Sequence, residues 1–138
     1  MTKAAELFLK ELESQNLPHL PIIETEGRTV IPLGYKLKNT RVEIKTMFTE
    51  GDNSVAIRCF GFLKVNEDQF PQALLCCNSL NKKMRWVKFY IDEELDVNLE
   101  DDAIVDDETG GKEVFDLVMR MAAIADEAYP ELNRAIWS

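Results

Sequence analysis

CCNSLNKKMRWVKFYID, residues 76–92, decides the fold, because in it an amphipathic helix passes straight into a strand. Asn78 and Asn81 stand at helical spacing, and then Val87, Phe89 and Ile91 alternate with Trp86, Lys88 and Tyr90. Upstream, Ala73, Leu74, Cys77, Leu80 and Met84 fall on one helical face, residues 66–68 can start the helix, and Pro71 is tolerated in its first turn. The two asparagines read as structural, since an amide at a helix end bonds backbone there or across to the next strand.

Toward the N-terminus, Thr2 caps a first helix whose Ala5, Phe8, Leu9 and Leu12 form one apolar stripe, with Leu17 and Pro18 ending it. Residues 19–27 read as irregular. Ile31, Leu33, Tyr35 and Leu37 then alternate as a strand, and Pro32, which lacks a ladder donor, places it at a sheet edge. Val42, Ile44, Thr46 and Phe48 make a second strand. After the turn residues Gly51, Asp52 and Asn53, a third strand carries Val55, Ile57, Cys59, Gly61, Leu63 and Val65.

Beyond the strand at 86–91 comes an acidic turn, a weaker strand over residues 95–99, and Gly110-Gly111 closing the loop before a last helix. That helix turns Val114, Val118, Met121, Ala122, Ala125 and Tyr129 inward, and Pro130 kinks or restarts it. The order is α-β-β-β-α-β-β-α. Hairpin connections leave nothing to force helices onto both faces of a sheet, so the expected class is α+β, an antiparallel, curved sheet with helices mainly on one face.

A chain of 138 residues with 46% apolar and 30% charged residues fits one domain, residues 1–138, with a core of its own. No apolar run approaches the roughly 18 residues of a membrane span, and Glu6 and Glu11 make the N-terminus unlike a signal peptide. Cys59, Cys76 and Cys77 lack the spacing of a redox or zinc pair and read as small buried thiols. The expected location is cytoplasmic, with no membrane partner.

The net charge of −9 argues against nucleic acid, which requires clustered cations. Residues 92–108 hold ten acidic side chains and no basic one, without the spacing of a calcium loop, and read as a solvated hairpin and loop. His19, the sole histidine, has no nucleophile in a recognised motif beside it, and Gly110-Gly111-Lys112 lacks the phosphate-loop spacing. No catalytic residue, metal ligand or cofactor is expected, and the chain does not read as an enzyme.

With Val55, Ile57 and Cys59 turned to the helices, Phe60 and Phe62 would point the other way, joined by Met47 and by Trp86 and Tyr90. Apolar area on that scale marks an interface, so these five residues are the candidate partner-binding set, for a homodimer or a protein client. The competing reading is that the chain's own loops or termini cover the face.

The Asn78-Ser79-Leu80-Asn81 helix motif, the aromatic strand at 86–92 and the helix ending Asp126-Glu127-Ala128-Tyr129-Pro130-Glu131-Leu132 make the chain resemble the YbjN domain family. The resemblance spans residues 1–137. It implies the fold of bacterial type III secretion chaperones, a name linked to sensory-transduction regulation, and no established catalytic residue. On that basis the expected function is a non-enzymatic protein-binding module, chaperone-like or regulatory. The alternative is a small-molecule- or metal-responsive sensory domain using the acidic 92–108 segment.

Overall fold

The computed structural model describes residues 1–137. It contains α1 (Lys3–Ser14), β1 (Ile23–Thr25), β2 (Arg28–Lys36), β3 (Arg41–Thr49), β4 (Ser54–Lys64), α2 (Phe70–Lys83), β5 (Lys88–Ile91), β6 (Asp96–Ile104) and α3 (Gly110–Ile136). The strands form one antiparallel sheet in the order β1-β2-β3-β4-β6-β5. The expected α+β architecture is present. A three-residue strand, β1, adds to it within the segment read as irregular.

Each end of α1 is closed by a specific device. Thr2 Oγ1 accepts the Ala5 N–H at 3.1 Å, as the sequence predicts. The stop is set by Asn16 rather than by Leu17 and Pro18. Its left-handed φ of 55° lets the Leu17 N–H reach the Leu12 carbonyl at 2.9 Å and its own N–H reach that of Glu13 at 3.0 Å.

Alternation buries Ile31 and Leu33 of β2, Val42, Ile44, Thr46 and Phe48 of β3, and Val55, Ile57 and Cys59 of β4 on one face. Val114, Val118, Met121, Ala125 and Leu132 of α3 join the same core, and the Phe8 ring of α1 lies 6.2 Å from that of Phe48. Pro32 does not mark the sheet edge as expected, because β1 pairs outside β2, yet it is accommodated. Its carbonyl points to the outer side of β2 and accepts the Leu20 N–H at 2.8 Å, so the missing N–H falls beyond the end of β1 and costs no ladder bond.

Gly110 and Gly111 belong to the first turn of α3, not to the loop before it. A Cβ on Gly111 would stand 2.5 Å from the Leu7 carbonyl oxygen, so glycine here is what lets α1 and α3 touch. Pro130 lies inside α3 without ending it. Proline removes the donor that would bond the Asp126 carbonyl, and Asn39, in the β2–β3 turn, supplies the replacement from its Nδ2 at 3.1 Å. The Asn39 backbone N–H adds a bond to Asp126 Oδ1 at 2.9 Å.

At its start α2 has a reciprocal box: Asn66 Oδ1 accepts the Gln69 N–H at 2.9 Å and Gln69 Oε1 accepts the Asn66 N–H at 3.0 Å. At its far end Asn81 donates to the Phe89 carbonyl at 2.9 Å and accepts the Phe89 N–H at 2.7 Å. One side chain thus fills the outer edge of β5 as a further strand would. Asn78 stays exposed.

Candidate functional site

The helices leave the other face of the sheet bare over β3, β4, β6 and β5. Strand register arranges its side chains in rows. Val30, Met47, Ala56 and Asp102 are successive partners in one row, and Pro32, Lys45, Arg58, Glu100 and Lys88 in the next. Phe60 lies beyond the second row, 51% exposed, with Lys45 Nζ 6.0 Å from its ring centre. Tyr90 follows Lys88 on the same side of β5. At the β2 end, Leu20 lies over Gly34, where an added Cβ would be 3.8 Å from its Cδ1.

Ion pairs link Arg58, Glu100 and Lys88 of the charged row and reach Asp102 in the row beside it, while Lys45 lies over Phe60. Arg58 Nε stands 3.4 Å from Glu100 Oε2 and its NH2 nitrogen 3.0 Å from Asp102 Oδ1, while NH1 donates to the carbonyls of Ile57 and Asp101 at 3.0 and 2.9 Å. Lys88 Nζ meets Glu100 Oε1 at 2.5 Å, and the Glu100 hydrogen bond is the leading cause that holds the Lys88 ammonium above its ordinary range. The face is therefore two apolar patches divided by an ionic row, with Met47 on one side and Phe60 and Tyr90 on the other.

Two of the five expected partner-binding residues lie elsewhere. Between Cys59 and Leu63 the β4–β6 register slips. Gly61 sits there at φ 64°, its N–H held at 2.8 Å by Asn98 Oδ1. Past this bulge Phe62 is 9% exposed and meets Tyr129 of α3 edge-on, ring centres 5.7 Å apart. Phe60 and Phe62 thus do not share a face.

Trp86 precedes β5 and adopts φ 76°, which turns it out of the strand alternation. Its ring is 5.2 Å from the Arg85 guanidinium and 5.1 Å from that of Arg120, which belongs to α3. It therefore stands on the helix side.

The acidic segment is not a loop throughout. β6 extends to Ile104 rather than stopping at Leu99, so Glu100, Asp101 and Asp102 belong to an interior strand. Arg58 and Lys88 make this tolerable, and neither match is visible before the strands are paired. Asp92 starts the hairpin, accepting the N–H groups of Glu94 and Asp96 at 2.9 and 3.0 Å, and Asn98 Nδ2 donates to its Oδ2 at 2.8 Å. The Asn98 amide first, and then the Asp96 N–H, hold the Asp92 carboxyl below its ordinary range. Asp101 is the exception on the helix side: burial pushes its carboxyl up to about 6, and its Oδ2 has no hydrogen-bond partner.

For covalent chemistry the residues are poorly placed. Burial pushes the Cys59 and Cys77 thiols up to about 12, which suppresses the nucleophilic thiolate. His19 is exposed, with Nδ1 2.7 Å from the Leu20 carbonyl. Among the described residues no three histidine, cysteine, aspartate or glutamate side chains gather to hold a metal, and no helix is long and apolar enough to cross a membrane.

Comparison with known proteins bears on the family and the fold. A search of curated proteins returns no match. The crystal structure of YbjN from E. coli, described as "a putative transcription regulator", superposes with a TM-score of 0.60 at 13% identity over 92% of each chain, a likeness of fold. The family model named YbjN, "Putative bacterial sensory transduction regulator", matches residues 8–134. That span takes in the Asn81 latch, the bulge at Gly61 and the Asn39–Asp126 clamp, and by it the chain belongs to the YbjN family.

Proposed function

We propose that this protein is a non-enzymatic regulatory module that acts by binding a protein partner on the bare face of its sheet. The observation that carries the reading is the pairing of Met47 and Phe60 patches around the row Lys45, Arg58, Glu100 and Lys88. Apolar area supplies affinity, and an ordered row of both charges supplies register and selectivity. A second copy of the chain and a different protein client both meet these terms. The regulatory part rests on the family's description as a sensory transduction regulator and on the description of the E. coli protein as a transcription regulator.

The test is a pull-down from source-cell extract combined with light scattering on the purified chain, comparing wild type with Phe60→Ser. Phe60 is half exposed, so the substitution should leave the fold intact. Loss of a stoichiometric partner, or of a dimer mass, on Phe60→Ser is the expected result. A monomer that captures nothing, or a partner kept unchanged by the variant, would remove the reading.

A further inference from the structure

One inner strand of the sheet lacks a neighbour that its length calls for. β6 spans Asp96–Ile104, but β5 pairs with it only from Val97 to Glu100, because the chain leaves the sheet at Trp86 and Val87. Register fixes which backbone groups face the gap. Phe89 turns its N–H and carbonyl outward to Asn81, so the pairs that exchange bonds across β5 and β6 are Lys88 with Glu100 and Tyr90 with Asn98. Two residues further on, the N–H and carbonyl of Asp102 point the same way, the N–H lying against the carboxyl of Asp101, which an incoming strand would displace, and after them those of Ile104. No strand of the described residues lies on that side, although β4 pairs with Asp101–Ile104 on the other. The Val105 N–H, turned toward β4, donates to the Asn53 carbonyl at 2.9 Å as this phase requires.

The surroundings of the gap select an occupant. Trp86, Val87 and Lys88 line a depression together with Glu100, Asp101 and Asp102. Past it, Asp106, Asp107 and Glu113 surround Ile104, with no basic side chain among that lining. Ile104 is 86% exposed, an apolar residue in a paired strand with nothing upon it. Asp101 Oδ2 is an acceptor cut off from solvent and unbonded. An open edge of N–H and carbonyl groups, an uncovered isoleucine and a surplus of carboxylates are complementary to one kind of chain.

We infer that the free edge of β6 from Asp101 to Ile104 is a strand-addition site for a basic, extended segment of another protein. The segment runs antiparallel to β6, exchanges backbone bonds with Asp102 and Ile104, sets an apolar side chain beside Ile104, and places lysine or arginine toward Asp101 and Asp107, since Asp102 is already paired with Arg58. It rests on the binding-module reading only in requiring a protein partner. Because the test uses a synthetic peptide, its failure leaves the reading of the bare face where it stood.

The probe is a short end-blocked peptide of alternating lysine and valine, titrated into the full isotope-labelled chain at low salt. Controls are the same peptide N-methylated at alternate residues, which keeps the charge but cannot pair, and its glutamate–valine counterpart. Saturable binding should slow amide exchange at Asp102 and Ile104 by about tenfold or more, and the N-methylated and acidic peptides should lose it. Ile104→Pro removes an outward N–H without touching the β4 ladder, so it should abolish binding with an unchanged circular dichroism spectrum. No binding by the lysine–valine peptide, equal binding by its N-methylated form, or protection that appears away from Asp102 and Ile104 would each overturn the site. The peptide controls decide the matter on the wild-type chain even if the proline variant fails to fold.

Discussion

β3 and β6 are both nine residues long and both lie inside the sheet, yet they are held there by different physics. β3 alternates without error, burying Val42, Ile44, Thr46 and Phe48, and pairs with β2 along its whole length. β6 buries Val97, Asn98 and Leu99 in succession and then carries three carboxylates. The first strand is positioned by its own apolar pattern. The second is positioned by its neighbours, through Arg58, Lys88, the Gly61 bulge and the Asp92 turn. Both strands are paired on one side nearly throughout, β3 with β2 and β6 with β4, and both have a stretch without a partner on the other, residues 41–44 of β3 and 101–104 of β6, so what separates them is the side chains that hold each in place.

The largest effect should come from breaking the self-sufficient strand. Ile44 is fully buried beneath the helices, and Ile44→Ala should cost about 3 to 4 kcal/mol through lost transfer energy and a residual cavity. Denaturant unfolding would measure it, and the loss should change little with added salt. A cost of less than about 1 kcal/mol would mean that the core relaxes around the site and that β3 is not the rigid member of the pair.

The dependent strand breaks differently. Asn98 is buried, its oxygen taking the Gly61 N–H and its nitrogen the Asp92 carboxylate. Asn98→Ala leaves the bulge N–H without its acceptor and should cost about 2 kcal/mol. Hydrogen exchange should quicken at Gly61 and across the β5–β6 hairpin while β3 amides keep their protection. Uniform loss across both strands would show that the two regions unfold as one unit and that the contrast between them is only one of sequence.

The same contrast explains what can be read in advance. Thr2, the α1 stripe, the alternation of β3 and the Asn81 latch are local signals, each complete within a few residues or one helix turn. Nothing local announces that Gly61 bulges, since glycine also occurs in plain strands, and so alternation alone puts Phe62 on the bare face with Phe60. Trp86 likewise reads as the first residue of an alternating strand until its left-handed backbone is known. The length of β6 and the ionic row are pairing properties: Glu100 looks like loop charge until Arg58 and Lys88 stand beside it. β1 holds only three residues, all exposed, and leaves no apolar pattern to detect. Of the candidate interaction residues, Met47, Phe60 and Tyr90 lie on the bare face as alternation suggests, while Arg58, Glu100 and Ile104 become visible only with the register.

The smallest effect sharpens the comparison most, because its sign is opposite. Burial pushes the Asp101 carboxyl up to about 6, against roughly 4 in an unfolded chain. Between those values the folded protein binds more protons than the unfolded one, so this group lowers stability as pH rises through the window, and its full cost is present above it. Asp101→Asn removes the charge and keeps the shape. Compared with wild type at each pH, the variant should gain about 1 kcal/mol at pH ~8, discounted for the solvent that still reaches the group, and almost nothing at pH ~4. Referencing to wild type matters because Asp92 and Asp106, with carboxyls held below their ordinary range, lose stability as pH falls and would mask the trend in either protein alone. A gain that is the same at both pH values would mean that the carboxylate is solvated and that β6 carries no electrostatic cost on its helix side. A gain confined to the higher pH would mark β6 as a strand that keeps an unfavourable charge at the head of its open edge, where an incoming cation would relieve it.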